Sequence, residues 1–259
     1  MQRVLIVAGS DPSGGAGIQA DIKAVTMLGG YAMTAVTALT VQNTLGVTDV
    51  MAVPPAFIRA QARACLDDIG ADAIKTGMLG DTAVMDAVAD ILDSSEAFKV
   101  VDPVMVAKGG HPLLHEAAVA ALKGVMIPRA GLLTPNTPEA TAITGLEIAG
   151  EDDMRRAGEA LLELGARNVL LKGGHLPGDE VVDMLFTPDQ VFRFAAERVE
   201  TRHTHGTGCT LASACATLWR PERPLEETVQ LARDYVLGAI LTAPQLGAGH
   251  GPLRHNWLL

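Results

Sequence analysis

The sequence has few aromatic residues and little basic charge. Phe, Trp and Tyr make up 3% of its 259 residues, so a core has to be built mainly from Ala, Val, Leu, Ile and Met; the hydrophobic content of 48% is enough for a large one. Lys and Arg number 20 against 30 Asp and Glu, which gives a net charge of -10. This excess argues against a nucleic-acid partner, which needs a basic surface. It leaves room for a small anionic ligand, because a helix N-terminus and one lysine suffice to hold it.

Cysteine is also scarce, and long hydrophobic runs are absent. The three cysteines, Cys65, Cys209 and Cys215, have neither C-x-x-C spacing nor paired histidines, which argues against a zinc site. Their odd number, with no secretory leader at the N-terminus, is typical of a reducing compartment. No apolar run reaches the length of a membrane span. We therefore expect a cytoplasmic protein with no membrane partner.

The chain alternates between short apolar runs and segments with helical periodicity. The runs predict buried strands at Val4–Ala8, Ala35–Val41, Ala73–Thr76, Val100–Asp102, Leu132–Thr134 and Val169–Lys172. Helices are predicted at Ile18–Leu28, Phe57–Ile69, Thr82–Leu92, Ala117–Val125, Pro138–Thr144, Asp153–Leu164, Thr207–Leu218 and Leu225–Leu241. Two further runs, Val181–Phe186 and Val191–Ala195, predict an antiparallel hairpin at an edge. This order predicts one α/β domain over residues 1–259, a doubly wound and mainly parallel sheet with helices on both faces.

Polar side chains follow several of the predicted strands. Asp102 suits a turn before Pro103, Asn136 and Glu139 suit a helix cap, and Lys172 suits a solvated strand end. Each residue alone therefore has a purely structural interpretation. Ligands of an open parallel sheet bind beyond the carboxyl ends of its strands, however, and these side chains all fall there. Their convergence favours a functional site.

Two glycine-rich segments add to this site. Gly15 to Ala20 matches G-x-G-x-x-A, but it begins too late after its strand for a dinucleotide fingerprint, so we interpret it as a glycine-rich lid or a substrate loop. Gly206-Thr207-Gly208 opens a predicted helix of small residues, and such a helix start is a natural seat for phosphate. The same helix start would favour the thiolate form of Cys209. Carboxylates, an amide, a lysine and a phosphate seat are what phosphoryl transfer needs, and no Walker A motif occurs.

Seven blocks of the sequence resemble the hydroxymethylpyrimidine/phosphomethylpyrimidine kinases, the thiamine-biosynthesis branch of the ribokinase-like family. The blocks are Ala8–Asp21, Thr37–Thr44, Lys75–Leu79, Asp102–Met105, Thr134–Ala140, Lys172–His175 and Thr204–Leu211, and they occur in family order. The resemblance implies a ribokinase-like fold and ATP-dependent phosphorylation of 4-amino-5-hydroxymethyl-2-methylpyrimidine. It also implies a second phosphorylation, of the monophosphate, which gives the diphosphate used to assemble thiamine.

The resemblance further implies roles for residues on the acceptor side. Asp21 and Gln42 would hold the aminopyrimidine, because a carboxylate and an amide match the donors and acceptors of its edge. Gly9, Met78 and Val104 would pack around the ring.

On the phosphate side, the resemblance implies that Lys172 and Asp102 lie at the nucleotide phosphates. Asn136 and Glu139 match the family's N-x-x-E element, which positions Mg²⁺ through water; the metal residues would be Asp102 and Glu139. An anion hole formed by Gly206, Thr207 and Gly208 completes the set, and Thr207 would also contact the nucleotide.

Cys209 departs from the pattern of the wider family. Most ribokinase-like sugar kinases have an aspartate general base there, whereas the pyrimidine-kinase branch has cysteine, so the identity of the base is open. Two other functions also stay open: a pyridoxal or pyridoxine kinase, which acts on a similar ring, and a non-catalytic nucleotide-binding relative. We also expect a homodimer whose partners are small-molecule substrates.

Overall fold

The computed structural model describes residues 1–105 and 116–259. Its strands are β1 (Arg3–Ala8), β2 (Tyr31–Val36), β3 (Ala38–Asn43), β4 (Gly46–Ala52), β5 (Ala73–Thr76), β6 (Phe98–Val101), β7 (Leu132–Leu133), β8 (Val169–Lys172), β9 (Glu180–Phe186) and β10 (Val191–Glu197). Its helices are α1 (Gly17–Met27), α2 (Pro55–Asp68), α3 (Thr82–Asp93), α4 (Glu116–Ala121), α5 (Thr137–Thr144), α6 (Glu151–Glu163), α7 (Thr207–Leu218) and α8 (Leu225–Leu241).

Eight of these strands form one sheet in the order β10-β9-β8-β7-β6-β5-β1-β2. The strands from β2 to β8 in this order are parallel, whereas β9 runs antiparallel to β8 and β10 antiparallel to β9. The predicted mainly parallel sheet with an antiparallel hairpin at one edge is confirmed. Because the parallel strands end at the same edge, the loops that follow them meet there.

Helices cover both faces of the sheet, and β1 shows how the strands divide between two cores. Leu5 and Val7 pack in a core with residues of α2, α3 and α6, whereas Val4, Ile6 and Ala8 pack with residues of α1, α7 and α8. A parallel strand buried on both faces therefore reads as a continuous apolar run. Within the described ranges, no helix is long and apolar enough to cross a membrane.

The region after β1 and α1 differs from its prediction. The predicted strand Ala35–Val41 is two strands: Val36 still pairs with β1, but the chain leaves the sheet at Thr37, and Ala38 begins β3. β3 pairs with β4 in a separate two-stranded antiparallel sheet, which we call the ribbon (Ala38–Ala52). β4 was not predicted because most of its side chains are exposed, so no apolar alternation marks it.

The predicted helix Ala117–Val125 also differs. It is α-helical only to Ala121, after which a π-helical turn (Leu122–Met126) and a 3₁₀ turn (Ile127–Arg129) follow. Gly124 has a low helix propensity, and Pro128 lacks the N–H that a helix interior needs. These two residues account for the irregular end.

Candidate active site

A cavity of about 950 Å³ opens beyond the carboxyl ends of the parallel strands. It extends from the residues that follow β1 and β5, past those that follow β6 and β8, to the N-terminus of α7. The predicted site residues that line it are Gly9, Gln42, Met78, Asp102, Val104, Asn136, Glu139, Lys172, Gly206, Thr207, Gly208 and Cys209. The rule that loops meet beyond the strand ends therefore brings these separate segments to one place.

At one end of the cavity, β1, β5 and the ribbon meet. A Cβ on Gly9 would lie 3.2 Å from Met78 Sδ, so these two predicted residues are in contact. The Thr37 hydroxyl donates to the Met78 carbonyl over 2.6 Å, which ties the start of the ribbon to the segment after β5. Gln42 lies on β3 and turns to the cavity. This end combines apolar contact surface with the Gln42 amide.

The N-terminus of α7 forms another wall. Gly206 has φ +82°, which favours glycine, and a Cβ there would collide with the Gly15 carbonyl. The Thr207 hydroxyl donates to the Thr204 carbonyl over 2.8 Å, which fixes the turn before the helix. The helix itself packs closely through small buried residues, so its first backbone N–H groups are held in place at the cavity. A side chain on Gly208 would approach Lys172 Nζ at 3.3 Å, so the amine faces this helix start.

Asp102, which is buried, and Lys172, which is partly buried, form an ion pair beside that helix start. Lys172 Nζ and the Thr134 hydroxyl both donate to Asp102 Oδ1, at 3.3 and 3.1 Å. Burial acts to lower the pKa of Lys172, but the carboxylates of Asp102 and Glu139 raise it above its ordinary value. Lys172 is therefore a fixed positive charge, and Asp102 Oδ2 is the carboxylate oxygen that neither donor uses.

Asn136 and Glu139 cap α5 and line the cavity at the same time. The Asn136 side chain accepts from the Glu139 N–H, and the Glu139 carboxylate accepts from the Asn136 N–H, each at 2.8 Å. This is a complete capping box, as the structural interpretation expected. Burial raises the pKa of Glu139 to about 7, although Lys172 opposes the effect. A buried carboxyl that is half ionised at neutral pH is more than a cap requires.

Lys75 is a site residue that sequence reasoning missed. Its side chain is fully buried on β5, lines the cavity, and lies 2.9 Å from both carboxylate oxygens of Asp21. Burial acts to lower the pKa of Lys75, but Asp21 raises it, so the amine stays charged. The lysine stands in the strand sequence Ala-Ile-Lys-Thr, and a charge in such a buried strand was the available signal.

Asp21 itself does not lie where we expected it. It is absent from the described residues that line the cavity and is fully buried, with its oxygens bound to Lys75 and, at 2.7 Å, to the Ser213 hydroxyl. Direct contact with a ligand in the cavity is therefore not what this geometry provides. The physical reason is the pairing with Lys75, which a buried charge requires.

Cys209 requires a second correction. It is the third residue of α7, and its sulfur accepts a hydrogen bond from the Gly17 N–H. The expected lowering of its pKa is wrong, since burial raises the pKa of the thiol to about 12. Lys75 opposes this effect, but the Asp21 and Asp102 carboxylates add to it. Cys209 is therefore a neutral thiol near pH 7.

A protein-family model described as phosphomethylpyrimidine kinase matches residues 11–254. The chain is 45% identical to the hydroxymethylpyrimidine/phosphomethylpyrimidine kinase of Streptomyces coelicolor, over 99% of this chain and 95% of that protein. It is 44% identical to the kinase of the same name from Escherichia coli, over 98% of both. It is also 50% identical to a thiamine biosynthesis bifunctional protein of Geobacter sulfurreducens, of which it spans about half, 52%.

Solved structures are similar over the same length. The ADP complex of Bacillus subtilis pyridoxal kinase has a TM-score of 0.92 and 34% identity, over 100% of this chain and 98% of that one. A pyridoxal kinase from Staphylococcus aureus with AMP-PCP and pyridoxal has a TM-score of 0.92 and 32% identity, over 100% and 94%. A phosphomethylpyrimidine kinase from Clostridium difficile has a TM-score of 0.82 and 39% identity, over 93% and 100%.

Proposed function

The chain belongs to the phosphomethylpyrimidine kinase family, and on this premise we propose that it phosphorylates 4-amino-5-hydroxymethyl-2-methylpyrimidine with ATP. The monophosphate is then phosphorylated again to the diphosphate used in thiamine biosynthesis. The observation that carries the proposal is one cavity with two chemically different ends. One end offers apolar surface and an amide, and the other offers helix N–H groups and a fixed lysine.

The acceptor end suits an aminopyrimidine. The Gln42 amide can both donate and accept, which matches an exocyclic amino group next to a ring nitrogen. Gly9, Met78 and Val104 supply the surface against which a flat ring packs. Asp21 acts indirectly in this proposal, because it holds Lys75 charged at the cavity wall.

The phosphate end stabilises the transferred group. Backbone N–H groups of Gly206 and Gly208 face the migrating phosphoryl, whereas the Thr207 N–H donates to the Thr204 carbonyl at 3.3 Å. Lys172 neutralises charge on the nucleotide phosphates. Cys209 is a neutral thiol, so we assign it no general-base role. Loose phosphoryl transition states need little base catalysis, so positioning and charge stabilisation carry the reaction, and the acceptor proton leaves to phosphate or water.

The same residues fit Mg²⁺ bound together with ATP. Among the described residues, no group of three or more His, Cys, Asp or Glu side chains is placed to hold a metal ion alone. That suits Mg²⁺, which keeps several waters and takes one or two carboxylates together with substrate phosphates. Asp102 Oδ2 and the Glu139 carboxyl are the groups that would hold it, with Asn136 fixing Glu139. When bound, the cation would supply charge neutralisation at the phosphates.

ATP as the donor is supported by related structures. The pyridoxal kinases of B. subtilis and S. aureus hold ADP or the ATP analogue AMP-PCP. This chain matches their folds with a TM-score of 0.92.

A second candidate is pyridoxal kinase. The high TM-scores to pyridoxal kinases favour it, whereas the curated relatives at 44–45% identity over nearly full length favour the pyrimidine. An assay of the purified protein with ATP and Mg²⁺ tests both functions. The aminopyrimidine, its monophosphate, pyridoxal and ribose are offered in parallel, and the pyrimidines should give the highest kcat/KM. Pyridoxal as the best acceptor would replace the first function with the second, and no turnover of any acceptor would leave a non-catalytic relative.

We also propose that the protein is a cytoplasmic homodimer. The outward face of the ribbon carries Leu39, Val41 and Met51, which are 44%, 58% and 62% exposed. A cluster of exposed apolar side chains on a two-stranded sheet suits contact with a second copy of the chain. Light scattering after size exclusion should give twice the monomer mass, 27.0 kDa. Val41→Lys should lower that mass to the monomer's, and a wild-type monomer at micromolar concentration would refute the dimer.

A further inference from the structure

The buried side chains of Asp11 and His205 connect the loop after β1 to the segment that begins α7. Asp11 lies in the loop after β1, is fully buried, and accepts a hydrogen bond from His205 Nε2 at 2.8 Å. His205 is 5% exposed and directly precedes Gly206. We call residues Gly206–Gly208 the phosphate-receiving segment. The two residues are 194 positions apart in the chain, so the contact is a specific tertiary one.

Both carboxylate oxygens of Asp11 accept several hydrogen bonds. Its Oδ1 accepts from the Ser13 N–H and hydroxyl at 2.9 and 2.7 Å, and its Oδ2 accepts from the N–H groups of Gly15 and Ala16 at 3.1 and 2.8 Å. Burial acts to raise the pKa of Asp11, but hydrogen bonds from His205, Ser13, Gln42 and Ala16 hold it well below its usual range. Asp11 is therefore a permanent carboxylate around which the loop 11–16 folds.

The backbone of this loop touches the phosphate-receiving segment directly. A Cβ on Gly206 would collide with the Gly15 carbonyl, and a Cβ on Gly15 would collide with the His205 ring. The backbone of His205 is also fixed, since its backbone N–H donates to the Gly251 carbonyl at 3.1 Å. The position of the His205 ring therefore limits where Gly206 lies.

The loop reaches the acceptor side through its ends. Gly9, just before it, packs against Met78 at the cavity, and the N–H of Gly17, just after it, bonds to the Cys209 sulfur. One loop thus contacts both the acceptor end and the helix start. A shift of the loop would change the distance between acceptor and phosphoryl group.

We propose that Asp11 and His205 are a positioning pair that fixes the Gly206–Gly208 segment relative to the acceptor. The inference rests on the proposed function, because positioning is measured by the rate of phosphoryl transfer. The pair acts through the backbone of its two loops. A misplacement of about 1 Å between reacting groups can lower a rate about 100-fold, so the loss of the bond should appear mainly in kcat.

The test compares amide side chains at position 205. His205→Gln places an amide N–H near the position of Nε2 and should keep kcat within about 3-fold of wild type. His205→Asn carries its amide too close to the backbone to reach Asp11, and its kcat should fall about 10- to 100-fold. KM for the aminopyrimidine and for ATP should change by less than about 3-fold in both variants. If His205→Asn does not fold, His205→Phe replaces it, since Phe fills the space of the ring without a donor.

A double-mutant cycle shows whether the pair acts together. Asp11→Asn should lower kcat, and adding His205→Asn should lower it little further, because one bond is lost only once. Asp72→Asn is the matched control: Asp72 also accepts a backbone N–H, from Arg3 at 2.8 Å, but at the opposite end of the sheet. Its kcat should stay within about 2-fold of wild type. All rates are measured well below the melting temperature of the least stable variant.

Two results would overturn the inference. One is a wild-type kcat in His205→Asn or His205→Phe, and the other is equal losses in His205→Gln and His205→Asn, which would show that the bond to Asp11 is not what the ring supplies. The wild-type enzyme separates this failure from failure of the proposed function. If wild-type protein does not phosphorylate the aminopyrimidine, the proposed function fails before any variant is compared.

Discussion

Glu139→Gln separates the two roles that the geometry gives to Glu139. As half of the capping box, Glu139 accepts the Asn136 N–H at 2.8 Å, and a glutamine oxygen can take the same bond. As a buried carboxyl in the cavity, Glu139 supplies a negative charge that glutamine lacks. The substitution therefore keeps the cap and removes the charge.

The size and sign of the stability effect follow from the pKa of Glu139, which burial raises from 4.5 to about 7. Well below pH 4.5 the carboxyl is protonated in both the folded and the unfolded chain, so it does not change the free energy of unfolding. As pH rises toward 7, the unfolded chain loses its proton first, so the wild type loses stability, and above about 7 the loss is complete. At about 1.4 kcal/mol per pH unit, Glu139→Gln should be more stable than wild type by about 1 kcal/mol at pH 5.5 and about 3 kcal/mol at pH 8.

Urea unfolding at the two pH values, together with steady-state rates, measures both effects. The kcat of Glu139→Gln should fall on the order of 100-fold, as for the loss of one electrostatic contact at a transition state. Glu159→Gln, which changes an exposed residue of α6, is the control and should stay within about 0.5 kcal/mol of wild type. The reasoning is refuted if Glu139→Gln has the wild-type stability at both pH values and near-normal turnover, the pattern expected of a residue that serves only the cap.

Three further predictions concern the other site residues. Cys209→Ser should keep kcat within about 10-fold, and iodoacetamide should label Cys209 more slowly than Cys65, because a thiol with a pKa of about 12 is rarely ionised; a kcat loss of about 100-fold or more would mean that Cys209 is the base. Lys75→Met should lower the free energy of unfolding by about 3–5 kcal/mol, since it leaves the Asp21 carboxylate buried without its ion-pair partner. The control is Arg59→Met, at an exposed ion pair with Asp90, which should lower the free energy of unfolding by about 1 kcal/mol or less. Equal losses in the two variants would contradict the account. Gln42→Leu should raise the KM for the aminopyrimidine roughly 10- to 100-fold, because one polar group of the ligand is left unpaired. The control is Gln61→Leu, which loses hydrogen bonds to the Val36 backbone outside the cavity and should leave that KM unchanged. An unchanged KM in Gln42→Leu would show that Gln42 does not bind the aminopyrimidine.

Much of the fold could be predicted from the sequence, because parallel strands buried on both faces are short, apolar and bounded by turns. Arg3–Ala8 and Ala73–Thr76 show this pattern plainly. The ribbon does not show it. In β3 the apolar Leu39 and Val41 lie on the exposed face and the polar Gln42 lies on the cavity side, and most of β4 is exposed, so hydrophobicity does not mark a buried face. Its separation from β2 depends on a bend at Thr37, where hydrogen bonds to distant residues decide the path.

Site residues were predictable where they follow strands or open a helix, because the rule that places them is one of topology. The ion-pair partners of buried charged residues could not be predicted from the sequence. Lys75 and Asp21 are 54 positions apart, and only the packing of α1 against the sheet shows that they neutralise each other. The same limit applies to Cys209: the helix start was visible in the sequence, but the burial that raises its pKa was not.

The measurement that most directly tests the proposed function is a ³¹P NMR time course with wild-type protein, Mg²⁺, the aminopyrimidine and excess ATP. The account predicts that the pyrimidine monophosphate rises and then falls as the diphosphate accumulates, with two ADP formed for each acceptor consumed. Formation of ADP without any phosphorylated pyrimidine would contradict it. So would a reaction that turns over pyridoxal under the same conditions and leaves the pyrimidine unchanged.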